Sequence, residues 1–148
     1  MSQSFVQIYV HIVFHTKNNL NLIGEEVEDE LYSYLGGILK NLKSIPIQIG
    51  GISNHVHILC TLPKTMSLAE LAEEIKKSSS KWIKTKGPHY SNFYWQDGYG
   101  GFSVSSYATN IVKDYILKQR KHHEKVSPID EYKALLTEYG IPYEERFL

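Results

Sequence analysis

The stretch Gly51-Ile52-Ser53-Asn54-His55-Val56-His57-Ile58-Leu59 constrains the fold more than any other part of the chain. It reads as a buried strand in which two histidines flank one apolar residue. Strand side chains alternate faces, so His55 and His57 point one way while Val56 and Ile58 point the other. One face then packs a core, and the opposite face carries two imidazoles side by side, a ready pair of metal ligands. A His-x-His pair alone is a weak signal. The rest of the chain has to supply a third ligand and something for a metal to act on.

The surrounding pattern places this strand in a sheet. Phe5–His15 is rich in β-branched and aromatic residues and reads as a central strand, apolar on both faces. From Glu25, Val27, Leu31, Leu35, Ile38 and Leu42 recur at helical spacing, with acids crowding the first turn where the helix dipole favours them. Gly36-Gly37 weakens the middle of that helix or lets something approach closely. Ile45–Gly50 and Ile52–Leu62 read as two strands joined at Gly50-Gly51, as a tight turn or a bulge. Ser67-Leu68-Ala69-Glu70 is a capping-box start for a second helix carrying Leu71, Ile75, Ser79 and Trp82, which stops near Gly87-Pro88. His89–Gly101 reads as an aromatic loop and Phe102–Ser105 as a short strand. A further helix is predicted from Ser105 or Ser106 to about Lys121, and Ser127-Pro128 opens a tail with one more short helix. The order β-α-β-β-α-β-α predicts an α+β, ferredoxin-like split βαβ fold, with an antiparallel sheet, helices on one face and the other face free for a site.

A chain of 148 residues suits one domain with a real core. No hydrophobic run is long enough to span a bilayer, and Met1–Phe14 lacks the basic leader of a signal peptide. The single cysteine, Cys60, excludes an intrachain disulfide and a cysteine-rich zinc cluster, so a reducing cytoplasm is the expected location. Formal net charge is zero, but residues 65–125 hold ten basic against six acidic groups. The positive charge therefore falls where the second and third helices are predicted, and a local basic face matters more than the total.

Tyr115 and Gln119 lie four apart on that third helix and so are neighbours on one face. A phenolic hydroxyl is a possible nucleophile, and a glutamine carbonyl is a hard oxygen ligand. His55, His57 and Gln119 would leave several positions open on an octahedral Mg²⁺ or Mn²⁺ for phosphate oxygens and water. Such an ion would polarise a phosphodiester and orient it for in-line attack.

His-hydrophobic-His on a strand, followed about sixty residues later by a helical Tyr-x-x-x-Gln, resembles the single-tyrosine HUH transposases of the insertion sequence 200/605-like group. His11-Ile12-Val13-Phe14-His15-Thr16-Lys17-Asn18 looks like the family's opening strand, and Asn54–Leu59 like its metal motif. Phe93-Tyr94-Trp95-Gln96-Asp97-Gly98-Tyr99 and Phe102-Ser103-Val104-Ser105 look like the approach to its tyrosine helix. The resemblance implies a catalytic domain over residues 1–126 and a C-terminal tail over 127–148. It implies that Tyr115 attacks a phosphodiester in single-stranded or hairpin DNA, forming a 5′-phosphotyrosine link and releasing a 3′-hydroxyl. His55, His57 and Gln119 would hold Mg²⁺ or Mn²⁺, and no nucleotide cofactor is required. A homodimer is expected. The competing readings are a non-cutting nucleic-acid-binding module on the same fold and a metal-dependent phosphodiesterase that uses water.

Other residues carry weaker signals. Lys76, Lys77, Lys81, Lys84 and Lys86 form a run without an acid, either a solvated helix face or, on the resemblance, a phosphate-tracking surface with Ser80. Phe93, Tyr94, Trp95 and Tyr99 could stack on unpaired bases or simply pack their loop. His122 and His123 read as a solvated helix end, and His11 as a core residue that could support the metal site. The acidic tail, reminiscent of transposases that serve repetitive extragenic palindromes, could dock over the sheet, guard the site or do neither.

Overall fold

The computed structural model describes residues 2–148. Four strands, β1 (Tyr9–His15), β2 (Pro46–Ile52), β3 (His55–Thr61) and β4 (Gly100–Val104), form one sheet in the order β2-β3-β1-β4. All three pairings are antiparallel. Helices α1 (Glu25–Asn41) and α2 (Leu68–Ile83) complete the expected split βαβ arrangement. After β4 come α3 (Thr109–Leu117), α4 (Gln119–His122) and α5 (Pro128–Glu138).

The two central strands explain the layering. Every position of β3 is buried, as is all of β1 after Tyr9. Val10, Ile12, Phe14, Val56, Ile58 and Cys60 face one way and join Leu31, Leu35 and Leu39 of α1 and Leu71, Ile75 and Ile83 of α2 in the main core. Each such aliphatic side chain, fully withdrawn from water, contributes roughly 1.5–3 kcal/mol. α2 starts where predicted: Ser67 Oγ accepts from the Glu70 amide at 3.1 Å and the Glu70 carboxylate accepts from the Ser67 amide at 3.3 Å.

The opposite phase of the same strands holds His11, Val13, His15, His55, His57 and Leu59, with His15 opposite His55 and Val13 opposite His57. This face is not free. Ile116 of α3 packs on Leu59 and Val104, and Leu136 of α5 packs on Val13 and Phe102. A single helix layer on one side would leave the histidine face wet; α3, α4 and α5 cover it instead.

Three local expectations are corrected. Gly50 and Gly51 lie inside β2, and the hairpin turns at Ser53-Asn54, since Ile52 pairs with His55. A Cβ on Gly50 would stand 2.8 Å from the Ile116 carbonyl oxygen, so the glycine is there for the close approach of α3. The helix predicted from Ser105 or Ser106 begins at Thr109 and breaks at Lys118 (φ −99°, ψ 18°), where its amide is shared among the carbonyls of Asp114, Tyr115 and Ile116. β1 starts at Tyr9, not Phe5, because β3 and β4 end opposite Tyr9 at Thr61 and Val104; Phe5 beyond them is exposed.

Candidate active site

His55 and His57 are completely buried, because the alternation that sends Val56 and Ile58 into the core sends them under α3 to α5. Each imidazole is held from behind. The Asn54 side-chain oxygen lies 2.9 Å from His55 Nδ1, and Asn54 is fixed in turn by donating to the Asn19 carbonyl at 3.3 Å. His11 Nε2 lies 2.7 Å from His57 Nδ1. The Nε2 atoms are thereby aimed at a common centre.

Gln119 reaches that centre from α4. Its Oε1 is 2.9 Å from His55 Nε2, and its side chain is buried although it lies on a helix otherwise facing solvent. Two residues that looked peripheral in the sequence join it. His123, its side chain 4% exposed, places Nε2 at 2.9 Å from Gln119 Oε1 and 3.2 Å from His55 Nε2. Glu131 of α5, 3% exposed, places Oε1 at 2.9 Å from His57 Nε2. Its second oxygen accepts from the Tyr115 hydroxyl and from Gln119 Nε2 at 2.9 Å. Tyr115 therefore stands beside the predicted ligands, linked to them through one carboxylate.

The electrostatics follow from burial and these contacts. Burial alone would raise the Glu131 pKa, but hydrogen bonds from His123, His55 and His57 overcome it and hold the group far below the ordinary carboxylate range. Burial, reinforced by the Glu131 carboxylate, pushes the Tyr115 phenol well above its usual value. Burial lowers His57 despite the opposing pull of Glu131. Burial also opposes protonation of His123, but the Glu131 hydrogen bond and the Val126 carbonyl outweigh it and raise its pKa. His11 and His15 are pushed down to about 3, by burial first and by neighbouring histidines second.

A divalent cation fits this donor set. The His55, His57 and Glu131 donor atoms lie within 4.8 Å of one another, and Gln119 Oε1 adjoins them. Imidazole nitrogens, an amide oxygen and a carboxylate oxygen facing one another in a buried site need protons or a cation between them.

The predicted DNA-contacting residues are placed differently. α2 packs on the sheet face opposite the histidines. Lys77 and Lys81 are exposed there, while Lys84 donates to Ser80 Oγ at 3.0 Å and lies over the Tyr94 ring at 4.3 Å. Lys76 is a clamp: its ammonium donates to the Gln96 and Gly98 carbonyls at 2.6 and 2.8 Å, so it has little capacity left to track phosphates. Trp95 is a core residue, packed edge-on against Phe14 and Phe93 with its indole N–H donating to Ser79 Oγ at 3.0 Å. Phe93 is likewise buried, whereas Tyr94 is 52% exposed. The apolar core needed an aromatic at position 95, and a base cannot stack on a ring so enclosed.

A basic opening does exist on the site's own side. Tyr115, Lys118, Lys121, His122 and Lys125 line a cleft of about 410 Å³. A neighbouring groove of about 420 Å³ is lined by His11, Val112, Tyr115 and Leu135. Tyr115 belongs to both, so its hydroxyl sits between solvent-open clefts and the buried imidazoles.

Residues 4–119 match the family described as Transposase IS200 like. The chain belongs to this family. Among solved structures, this IS200-like protein is similar to a presumed transposase from Deinococcus radiodurans R1, at 20% identity and a TM-score of 0.62 over 80% of this chain and 96% of that one. It is also similar to a REP-associated tyrosine transposase bound to a REP hairpin, at 14% identity and a TM-score of 0.61 over 83% and 73% of the two chains. No curated protein matches it. At these identities the likeness is one of fold, and it confirms the α+β antiparallel architecture. The family match ends at Gln119, so His123 and Glu131 lie outside it. No helix among the described residues is long and apolar enough to cross a membrane.

Of the two missed residues, His123 had a legible signal, since Tyr115, Gln119 and His123 follow one another at four-residue intervals. Glu131 had none: it stands on another helix, and only the chain reversal near Val126 brings it back.

Proposed function

We propose that this IS200-like transposase cuts and rejoins single-stranded DNA at hairpin-flanked ends, with Tyr115 as nucleophile. The observation that carries the reading is the hydrogen bond from the Tyr115 hydroxyl to a carboxylate that also contacts His57 and Gln119. Nucleophile and ligand set thus share one anchor. His55, His57 and Gln119 would hold Mg²⁺ or Mn²⁺, which when bound neutralises charge on the scissile phosphate.

The chain's own residues account for the remaining steps. Lys118, Lys121 and Lys125 draw a phosphodiester into the cleft beside Tyr115. Glu131 Oε2 orients the Tyr115 hydroxyl. As the phenol oxygen bonds to phosphorus its proton passes to water, and the bond from phosphorus to the 3′ oxygen breaks. The departing oxygen takes up a proton from water and leaves as a 3′-hydroxyl, and the 5′ phosphate stays on tyrosine. Attack by a 3′-hydroxyl reverses the sequence, and because the ester bond is exchanged rather than hydrolysed, no nucleotide cofactor is needed. Water is excluded from the imidazole side by α5, whose Leu136 seals against Val13 and Phe102. In this reading residues 1–126 form the catalytic domain, and the tail covers it and contributes Glu131 to the site. Exposed Tyr107 just before α3, with Ile111 and Leu117 on it, supports a homodimer. A DNA hairpin as partner is supported by the ligand of the REP-associated neighbour.

The test uses labelled hairpin-flanked single-stranded DNA with Mn²⁺. His57→Ala is expected to abolish cleavage while leaving hairpin binding largely intact; equal loss of both would give His57 a structural role only. Cleavage that survives Tyr115→Phe would point to a water-using phosphodiesterase. Binding without cleavage under any metal would leave only a nucleic-acid-binding module.

A further inference from the structure

We infer that the segment beyond the family-matched region completes the metal site, with His123 and Glu131 joining His55, His57 and Gln119 as ligands and turning the site toward transition-metal ions over Mg²⁺. The inference rests on the reading that the histidine cluster holds a divalent ion.

The geometry of His123 repeats that of His55. His55 has Nδ1 held by the Asn54 side-chain oxygen, which leaves Nε2 free to face the centre. His123 has Nδ1 2.6 Å from the Val126 carbonyl oxygen. A carbonyl only accepts, so Nδ1 carries a proton and Nε2 is the atom turned inward as the donor available to a cation. That tautomer, fixed by an outer hydrogen bond, is how proteins prepare a ligating histidine. His123 Nε2 then lies 3.2 Å from His55 Nε2, 2.9 Å from Gln119 Oε1 and 3.4 Å from Glu131 Oε1. A side chain whose role was only to cap a helix end would be solvated; this one is 4% exposed.

Glu131 divides its two oxygens between two tasks. Oε1 faces the nitrogen donors, 2.9 Å from His57, 3.4 Å from His123 and 3.5 Å from His55. Oε2 faces Tyr115 and Gln119. The carboxylate can therefore ligate through one oxygen while holding the nucleophile with the other. Three imidazoles, one carboxylate and one amide oxygen are a nitrogen-rich set. Mg²⁺ prefers oxygen donors and keeps its waters, whereas imidazole suits the later divalent ions in the order Mn²⁺, Co²⁺, Ni²⁺. Because two of the donors lie after residue 119, the ion also ties the C-terminal segment to the sheet.

The measurement is isothermal titration of the metal-free full chain with Mn²⁺, Co²⁺ and Mg²⁺, alongside thermal melts with and without each ion. The wild type is expected to bind Co²⁺ more tightly than Mn²⁺ and Mn²⁺ more tightly than Mg²⁺, with a metal-dependent rise in Tm. Loss of an outer-shell partner already costs about 10–100-fold in affinity, so His123→Ala and Glu131→Gln should each weaken Mn²⁺ by at least about tenfold. Pulsed electron paramagnetic resonance of bound Mn²⁺ should lose one nitrogen coupling in His123→Ala and none in Glu131→Gln. Melts of the metal-free variants report folding, and the isosteric Glu131→Gln carries the test should His123→Ala not fold. Mn²⁺ affinity and nitrogen couplings unchanged in both variants, with binding lost in His57→Ala, would overturn this inference and leave the proposed function standing. Absence of Mn²⁺ and Co²⁺ binding to the wild type would overturn both.

Discussion

Gly50→Ala tests whether the site is set by the seating of α3 on β2. The new Cβ would meet the Ile116 carbonyl oxygen at 2.8 Å and Ile116 Cγ2 at 3.0 Å, where ordinary contact begins at 3.4 Å. The first of these is backbone and cannot rotate away, so α3 itself has to move. Ile116 follows Tyr115 and precedes Gln119 by three residues, so the same movement carries nucleophile and ligand away from His55 and His57. Overpacking of this kind costs about 1–3 kcal/mol, and in a chain of this size each kcal/mol lowers Tm by roughly 2–4 °C. A 1 Å misplacement costs on the order of a hundredfold in rate, so a shift of about half that should slow cleavage by about tenfold or more. The assays are a thermal melt and a time course of hairpin-DNA cleavage at saturating Mn²⁺. Gly37→Ala is the control: nothing lies within 4 Å of its Cβ position in α1, so it should stabilise by about 0.5–1 kcal/mol with cleavage unchanged. Wild-type Tm and wild-type cleavage in Gly50→Ala would refute the claim that α3 is held at this distance.

Three further outcomes follow from the same contacts. Trp95→Phe removes the indole donor to Ser79 and should cost about 1–3 kcal/mol in urea denaturation while leaving hairpin affinity unchanged; a selective loss of affinity would restore a stacking role. His11 and His15 take a proton near 6.5 when unfolded but only at about 3 when folded, so the unfolded chain binds more protons between those values. Stability in chelator-containing buffer should thus be full above pH 6.5 and fall as pH drops toward 3, by up to about 1.4 kcal/mol per unit for each histidine, and a flat profile would contradict their buried neutral state. Changing Lys118, Lys121 and Lys125 together to Gln should flatten the salt dependence of single-strand binding by about two units of slope, whereas Lys76→Gln should leave the slope alone; the reverse result would place the DNA on α2.

The sheet and its first two helices were legible because their signals are local. The Val27-Leu31-Leu35 stripe, the Ser67–Glu70 cap and the alternation through Val56, His57 and Ile58 each act within a few turns or one strand, and all point to the same fold. Misreadings arose where a residue answers to something distant in sequence. Gly50 and Gly51 look like a turn, yet Gly50 is small for the sake of Ile116, far along the chain. Trp95 looks like an exposed loop aromatic, yet the ends of β1 and α2 close around it. The pairs His55 with His57 and Tyr115 with Gln119 could be anticipated from spacing, since strand alternation and the four-residue helical step are fixed geometry, and the family resemblance implied that the two pairs meet. Glu131 could not, because its approach to Tyr115 depends on how α5 folds back, and no spacing rule describes that.

The central claim is that Tyr115 forms a covalent bond to DNA within this histidine site. Incubating the protein with 5′-labelled and 3′-labelled hairpin-flanked single-stranded DNA and Mn²⁺, then mapping any adduct by peptide mass spectrometry, addresses it directly. The expected result is one adduct, on the peptide carrying Tyr115 and joined to the 5′ phosphate of the downstream fragment, absent in Tyr115→Phe. An adduct on another tyrosine, or cleavage at the wild-type rate in Tyr115→Phe, would contradict it.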